Sequence, residues 1–264
     1  MKKLIELTDD VLDLEYDDLS RMQIEKEVKI FDKCMRMYCN IPLSDIYDNV
    51  DLKSCELKLG SGGYGVPRGY YSPDVYSTFA VGGYNRGRIL KRKTSRSIIS
   101  REFYFSDGRL VLVKTFDDER SDCYIEGVLN VEYIERHGGM EIGLVYDCLA
   151  YDPGKLVGIH LCQYDKKDRL LSFRNYDHDG PYSEYSKQII KYDGNHIRAV
   201  DYLCREKFDR QPEYSEKTIT LIYNENMEPV HYCCGEYHDD MEPCDIYDIT
   251  KVNRPWYKEF IADR

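Results

Sequence analysis

The chain has a single tryptophan, Trp256, and no apolar run that approaches the roughly 20 residues needed to cross a bilayer. Its N-terminus, Met1-Lys2-Lys3-Leu4-Ile5-Glu6, meets an acidic residue before a signal-peptide core can form, so a cytoplasmic protein with no membrane association is expected. Ten cysteines are scattered over 264 residues, without the dense framework that staples small secreted domains, and read as free thiols in a reducing compartment. Positive charge is also short. Asp and Glu outnumber Lys and Arg by 48 to 37, and the net charge of −11 argues against nucleic acid and for a basic protein partner.

Catalytic signatures are missing as well. The histidines His137, His160, His178, His196, His231 and His238 sit mostly at or beside turn-forming residues, and none belongs to a recognised nucleophile or base motif. An enzyme is therefore the less favoured reading, and no cofactor is implied.

One helix is well marked. Ile24, Val28, Phe31, Met35 and Tyr38 recur at steps of four and three, with Ser20 as N-cap and Gln23 completing a capping box. Asp9, Asp10, Asp13, Glu15, Asp17 and Asp18 crowd the approach to it. There the helix dipole favours carboxylates, and an acidic partner-binding patch is the alternative. Residues 1–57 form this helical segment, and residues 58–97 a Gly/Tyr-rich irregular one.

From residue 98 to 264 the pattern becomes runs of β-prone residues separated by ten short polar turns, which predicts about eleven strands in an antiparallel up-and-down meander. The C-terminal stretch Pro255 to Ile261 would add a short covering helix anchored by Trp256. The fold class is mainly β.

One hairpin element recurs: Tyr151-Asp152-Pro153-Gly154, Tyr164-Asp165-Lys166-Lys167-Asp168-Arg169-Leu170, Tyr192-Asp193-Gly194-Asn195 and Tyr223-Asn224-Glu225-Asn226, with Phe105-Ser106-Asp107-Gly108-Arg109-Leu110 as a looser copy. An aromatic ends a strand, Asp or Asn caps the turn, and an aliphatic opens the next strand. Between about residues 98 and 238 this resembles the YD-repeat (Rhs-type) hairpins. The glycine of that pattern is absent from Asp165 to Arg169 and from Asn224 to Met227, and the copies are unevenly spaced. The resemblance implies hairpin geometry and no activity.

Four local motifs stand out. Lys58-Leu59-Gly60-Ser61-Gly62-Gly63-Tyr64-Gly65 has G-x-G-x-x-G spacing and looks like a protein-kinase phosphate loop, but the lysine strand, H-R-D and D-F-G are lacking, which favours an ordinary loop. Asn175, Asp177, Asp179 and Gly180 approximate half of a calcium loop, although Ser186 stands where a bidentate Glu belongs, so a hairpin tip is the better reading. His231, Cys233, His238 and Cys244, with Cys234 among them, are candidate metal ligands, weighed against buried small hydrophobes. Arg86, Arg88, Lys91, Arg92, Lys93, Arg96 and Arg101 form a basic run. It would contact phosphate or nucleic acid, or serve as a charged edge strand that blocks aggregation.

The 25 tyrosines against eight phenylalanines suit either a half-wet sheet or a binding surface. Tyr64, Tyr70, Tyr71, Tyr151, Tyr164 and Tyr192 are the candidate contact residues. These features together predict a non-catalytic protein-binding module. Its expected form is an immunity or antitoxin-like protein of a bacterial polymorphic-toxin locus, with an acidic, tyrosine-rich face that occludes a basic partner.

Overall fold

The structure is a computed structural model. It describes residues 2–63, 66–74, 87–94, 98–116, 127–148, 153–179, 182–193, 196–207, 213–223, 229–234 and 246–248, with those beyond 193 described as backbone. The candidate contacts Tyr64, Arg86 and Tyr151, the metal candidates His238 and Cys244, and the expected C-terminal helix lie outside the described residues.

The predicted helix is α2 (Arg21–Tyr38), flanked by the short α1 (Asp9–Leu12) and α3 (Leu43–Asn49). Ser20 caps α2 by accepting from the Gln23 backbone N–H at 3.3 Å. The capping box is only half formed. The Gln23 side chain donates instead to Glu27 at 3.0 Å, and Asp18 takes the Ser20 N–H at 2.7 Å. All five apolar positions of the predicted stripe are buried.

Behind the helices the described residues form one antiparallel sheet of thirteen strands. Strands β3 (Arg101–Ser106), β4 (Arg109–Phe116), β5 (Val128–His137), β6 (Met140–Asp147), β7 (Lys155–Tyr164), β8 (Leu170–Asp179), β9 (Tyr182–Asp193), β10 (His196–Lys207), β11 (Glu213–Tyr223), β12 (Pro229–Cys234) and β13 (Ile246–Asp248) follow one another in sequence order. These are the eleven strands of the meander. At its other end β1 (Glu56–Ser61) pairs with both β3 and β2 (Arg88–Leu90), so the boundary expected at residue 57 falls inside a strand, and the edge is β2. No helix among the described residues is long and apolar enough to cross a membrane.

Turn chemistry accounts for the register. Between β3 and β4, Asp107 and Gly108 both take positive φ, 51° and 73°, as a two-residue hairpin loop whose twist matches the strands requires. Between β7 and β8, Asp165 accepts from the backbone N–H groups of Lys167 and Arg169 at 2.8 and 2.9 Å, the side-chain cap expected of the YD-like turns. One expected turn is displaced. Asn175 and Asp177 lie within β8, where Asp177 pairs across from Glu184, so they are strand residues and not a hairpin tip.

A continuous cross-strand row, Tyr104–Leu112–Tyr133–Leu144–Ile159–Tyr176–Tyr185, floors the helices. Tyrosine serves here where phenylalanine would not, because its hydroxyl reaches carboxylates at the rim of the row, on the strands and on the helical layer. Tyr133 donates to Glu135 at 2.8 Å, Tyr176 donates to Asp32 and Tyr185 to Glu27, while Tyr146 in a neighbouring row reaches the Ile41 carbonyl at 3.0 Å. Tyr38 of α2 binds the Glu6 carbonyl at 2.8 Å.

The strongest link between the layers is ionic. Glu27 of α2, Arg174 of β8 and Lys187 of β9 are each 0 % exposed. Arg174 Nε donates to Glu27 Oε2 at 2.7 Å and Lys187 Nζ to Glu27 Oε1 at 2.8 Å. Burial alone would raise the Glu27 carboxyl, but Arg174 and Lys187 outweigh it and hold it below its ordinary value. Substituting Glu27→Ala leaves two buried cations unpaired and is expected to cost roughly 3–5 kcal/mol in urea unfolding. The triple change Glu27→Leu/Arg174→Met/Lys187→Met, which removes every charge of the cluster, is expected to recover most of that loss.

Candidate functional site

Three arrangements carry chemistry. The first is the acidic approach to α2. Asp9, Asp10, Asp13, Glu15 and Asp17 are exposed, and among them stand Leu12 at 48 %, Tyr16 at 41 % and Met22 at 80 % exposure. Asp18 serves the N-cap by accepting from the Ser20 N–H, and the first turn of α2 contains no acidic residue; Asp9 and Asp10 stand in the first turn of α1, where Asp10 pairs with Lys33 of α2 at 2.7 Å. This segment is fixed from beneath. Gln163 donates to the Leu14 carbonyl at 2.9 Å, Arg174 Nη2 and Lys187 Nζ both donate to the Glu15 carbonyl at 2.8 Å, and Lys187 Nζ also donates to the Asp18 carbonyl at 2.7 Å. The cations that neutralise Glu27 therefore also hold the backbone on which the exposed carboxylates are mounted. Sequence periodicity finds the apolar stripe of α2 but gives no sign of Glu27, which sits beside that stripe at position 27 as a charged residue. The only signal for its partners is the presence of Arg174 and Lys187 in runs otherwise typical of strands.

The second arrangement lies on the opposite face of the sheet. Glu132 neighbours Tyr133 on β5 and so points away from the helices. Residues 66–74 of the Gly/Tyr-rich segment cross this face as a strap. Arg68 of the strap donates from Nε to Glu132 at 2.7 Å and from Nη1 to Glu141 of β6 at 2.5 Å, and His160 Nδ1 lies 2.8 Å from the same Glu132 oxygen. At the strap's far end Asp74 accepts from Gln188 of β9 at 2.5 Å. Burial would raise Glu132, yet Arg68 and His160 bring it down to about 2. Burial raises Asp177 above its ordinary value, against the opposing influence of His160. Cys162, on the same face, is pushed up to about 12 by burial, which makes it a poor nucleophile. Gly143 gives the cluster room: a β-carbon there would come within 2.1 Å of Glu132 Oε1 and 2.9 Å of Arg68 Nη2.

The third is a cleft of about 620 Å3 at the hairpin end of β3 to β8, with Lys2, Lys3, Arg109 and Arg136 facing Asp107, Glu135, Glu141 and Asp168. Within it Arg136 pairs with Asp168 and lies 4.2 Å over the Tyr164 ring.

The tyrosines expected to form a binding face are mostly committed to packing. Tyr70 is buried against Tyr71 at 5.1 Å, and Tyr71 stacks edge-on to Phe103 and Phe105 at 4.9 and 5.2 Å, fastening the strap to β3. Tyr164 is covered by Arg136, and Tyr192 carries Arg169 at 4.6 Å while donating to the Leu170 carbonyl at 2.9 Å. Arg88, Lys91, Arg92 and Lys93 are exposed at the β2 edge and make no ion pair among the described residues. Arg101 departs from the basic run: it is buried and donates to the carbonyls of Gly62 and Val66 at 3.0 and 3.1 Å. Lys58 to Ser61 of the kinase-like loop are strand β1. His231 and Cys233 lie on β12, opposite Asp248 and Ile246.

No protein-family model, curated protein or solved structure matches the chain.

The second arrangement predicts an acid response. Because Glu132 ionises at about 2 when folded and at 4.5 ordinarily, its contribution is complete above pH 4.5 and is lost as pH falls towards 2. That contribution is on the order of 3 kcal/mol. Melting temperature followed from pH 7 to pH 3 is expected to fall more steeply for the native chain than for Glu132→Gln, which starts lower and lacks that proton uptake.

Proposed function

We propose that this chain is a non-catalytic protein-binding module that occludes a basic partner, in the manner of an immunity or antitoxin-like protein, through the acidic segment between Asp9 and Met22. The observation that carries this reading is the combination of exposed Leu12, Tyr16 and Met22 with the exposed carboxylates of Asp9, Asp13, Glu15 and Asp17, on a segment whose Glu15 and Asp18 carbonyls are held by buried cations; Asp10 beside them is paired with Lys33. Apolar side chains supply contact area, the carboxylates select positive charge, and a fixed backbone loses little entropy on binding.

Charge bookkeeping supports it. Among the described residues the buried cations Arg68, Arg101, Arg174 and Lys187 are matched by the buried carboxylates Glu27, Asp74, Glu132 and Glu135, so the whole surplus of −11 lies outside these eight groups. Residues 1–57 contribute fourteen Asp and Glu against eight Lys and Arg. A catalytic alternative would draw on the His160–Glu132 pair, but Arg68 already occupies that carboxylate. A phosphate or nucleic-acid alternative rests on Arg88, Lys91, Arg92 and Lys93.

Affinity capture from the native host separates these readings. The native chain is compared with Asp13→Asn/Glu15→Gln/Asp17→Asn/Tyr16→Ser, after matched unfolding curves establish that the fold is retained. One basic protein captured by the native chain, weakened by salt and lost from the variant, is the expected result. Equal capture by both chains would overturn the acidic segment as the interface, and recovery of nucleic acid would transfer the role to the β2 edge.

A further inference from the structure

On the face of the sheet turned away from the acidic segment, the strap inserts one side chain into a prepared recess. Glu132 and Glu141 stand on adjacent strands, β5 and β6, and each accepts from a different edge of the Arg68 guanidinium, Nε and Nη1. A planar guanidinium carries donors at both ends and so spans the two carboxylates in a fixed geometry, whereas an ammonium gathers its donors on one atom and lacks that span. Gly143, on β6 between the two, leaves the space the fork needs. We propose that the Glu132–Glu141 recess is a guanidinium-binding site, filled in the free protein by the chain's own Arg68 and open to competition by an arginine side chain from outside.

Three observations distinguish an exchangeable occupant from a permanent clasp. Arg68 has φ of 53°, a left-handed conformation that is strained for a residue with a side chain. Its Nη2 is buried without a hydrogen-bond partner among the described residues, so the resident guanidinium leaves part of its donor set unused. Glu141 is also a wall of the open cleft of about 620 Å3, which gives an incoming side chain a route to one of the two carboxylates before Arg68 departs. The net charge of −11 concentrates cations around the molecule. This site does not depend on the Asp9–Met22 interface: the two lie on opposite faces of the sheet, and either can fail alone.

The test uses propylguanidinium, with propylammonium as a control of equal charge, at millimolar concentration and constant ionic strength. In the native chain, propylguanidinium is expected to speed amide hydrogen exchange in residues 66–74 while leaving β5 and β6 protected. Propylammonium is expected to act about tenfold more weakly. In Arg68→Ala, melting temperature falls and propylguanidinium restores part of the loss. Gly143→Ala, whose new methyl group fills the recess, abolishes the response. Equal effects of the two cations on the native chain, or a guanidinium response that survives Gly143→Ala, would overturn the site. Should Arg68→Ala fail to fold, exchange in the native chain and in Gly143→Ala decides the question.

Discussion

Glu27 sits where the helical layer meets the sheet, and a carboxylate withdrawn from water there is tolerable only if its counter-charges arrive in full. Desolvating one ion costs several kcal/mol, and attraction across the low-dielectric interior offsets it only when the remaining donors and acceptors are also satisfied. The satisfaction here is close to complete. The three protons of Lys187 go to Glu27, the Glu15 carbonyl and the Asp18 carbonyl. Arg174 serves Glu27, Gln163, Ser172 and the Glu15 carbonyl. Such a cluster tolerates only one registration of α2 over β8 and β9, because a shift by one helical turn would strand all three charges. Apolar packing of Ile24, Val28, Phe31 and Met35 supplies the driving force for docking the helix, and the ions select where it docks.

The same constraint shapes the exposed surface. Residues Leu14 to Asp18 lie between two helices and carry several carboxylates, a composition that favours an extended, self-repelling chain. Backbone carbonyls held by buried cations oppose that tendency directly. An acidic loop is thus fixed by positive charge placed behind it, on its backbone carbonyls. The arrangement links a buried feature to a surface property, and it explains how the loop holds Tyr16 between Leu12 at the end of α1 and Met22 at the start of α2 in a defined geometry.

Legibility from the sequence divides along physical lines. Periodicity and turn chemistry are local, so α2, its Ser20 cap and the eleven-strand meander could all be read directly from the residues. Tyrosine was ambiguous because its ring and its hydroxyl argue for opposite environments. The structure resolves this by burying the rings of Tyr133, Tyr176 and Tyr185 and spending their hydroxyls on Glu135, Asp32 and Glu27. The ion clusters were illegible because their members are separated by more than a hundred residues between Glu27 and Arg174, and no spacing rule connects a helix to strands so far along the chain. Arg101 shows the same limit in reverse: in sequence it closes a basic run, but β3 turns it inward to two loop carbonyls.

The two faces of the sheet solve related problems with different margins. On the helix side the buried carboxylate is met by two cations whose donors are nearly all used. On the strap side one guanidinium meets two carboxylates, one of which also pairs with His160, while its own Nη2 is left over and its backbone stands in a left-handed conformation. Excess carboxylate around a single cation is an unbalanced arrangement: Glu132 is driven down to about 2 by Arg68 and His160, whereas nearby Asp177 is raised by burial. Loss of Arg68 would leave Glu132 beside His160 alone, and the least costly replacement for a missing guanidinium is another guanidinium. The helix side therefore has the donor nitrogens of its two buried cations all engaged, and the strap side is the half in which one contact can be exchanged for a chemically identical one from outside.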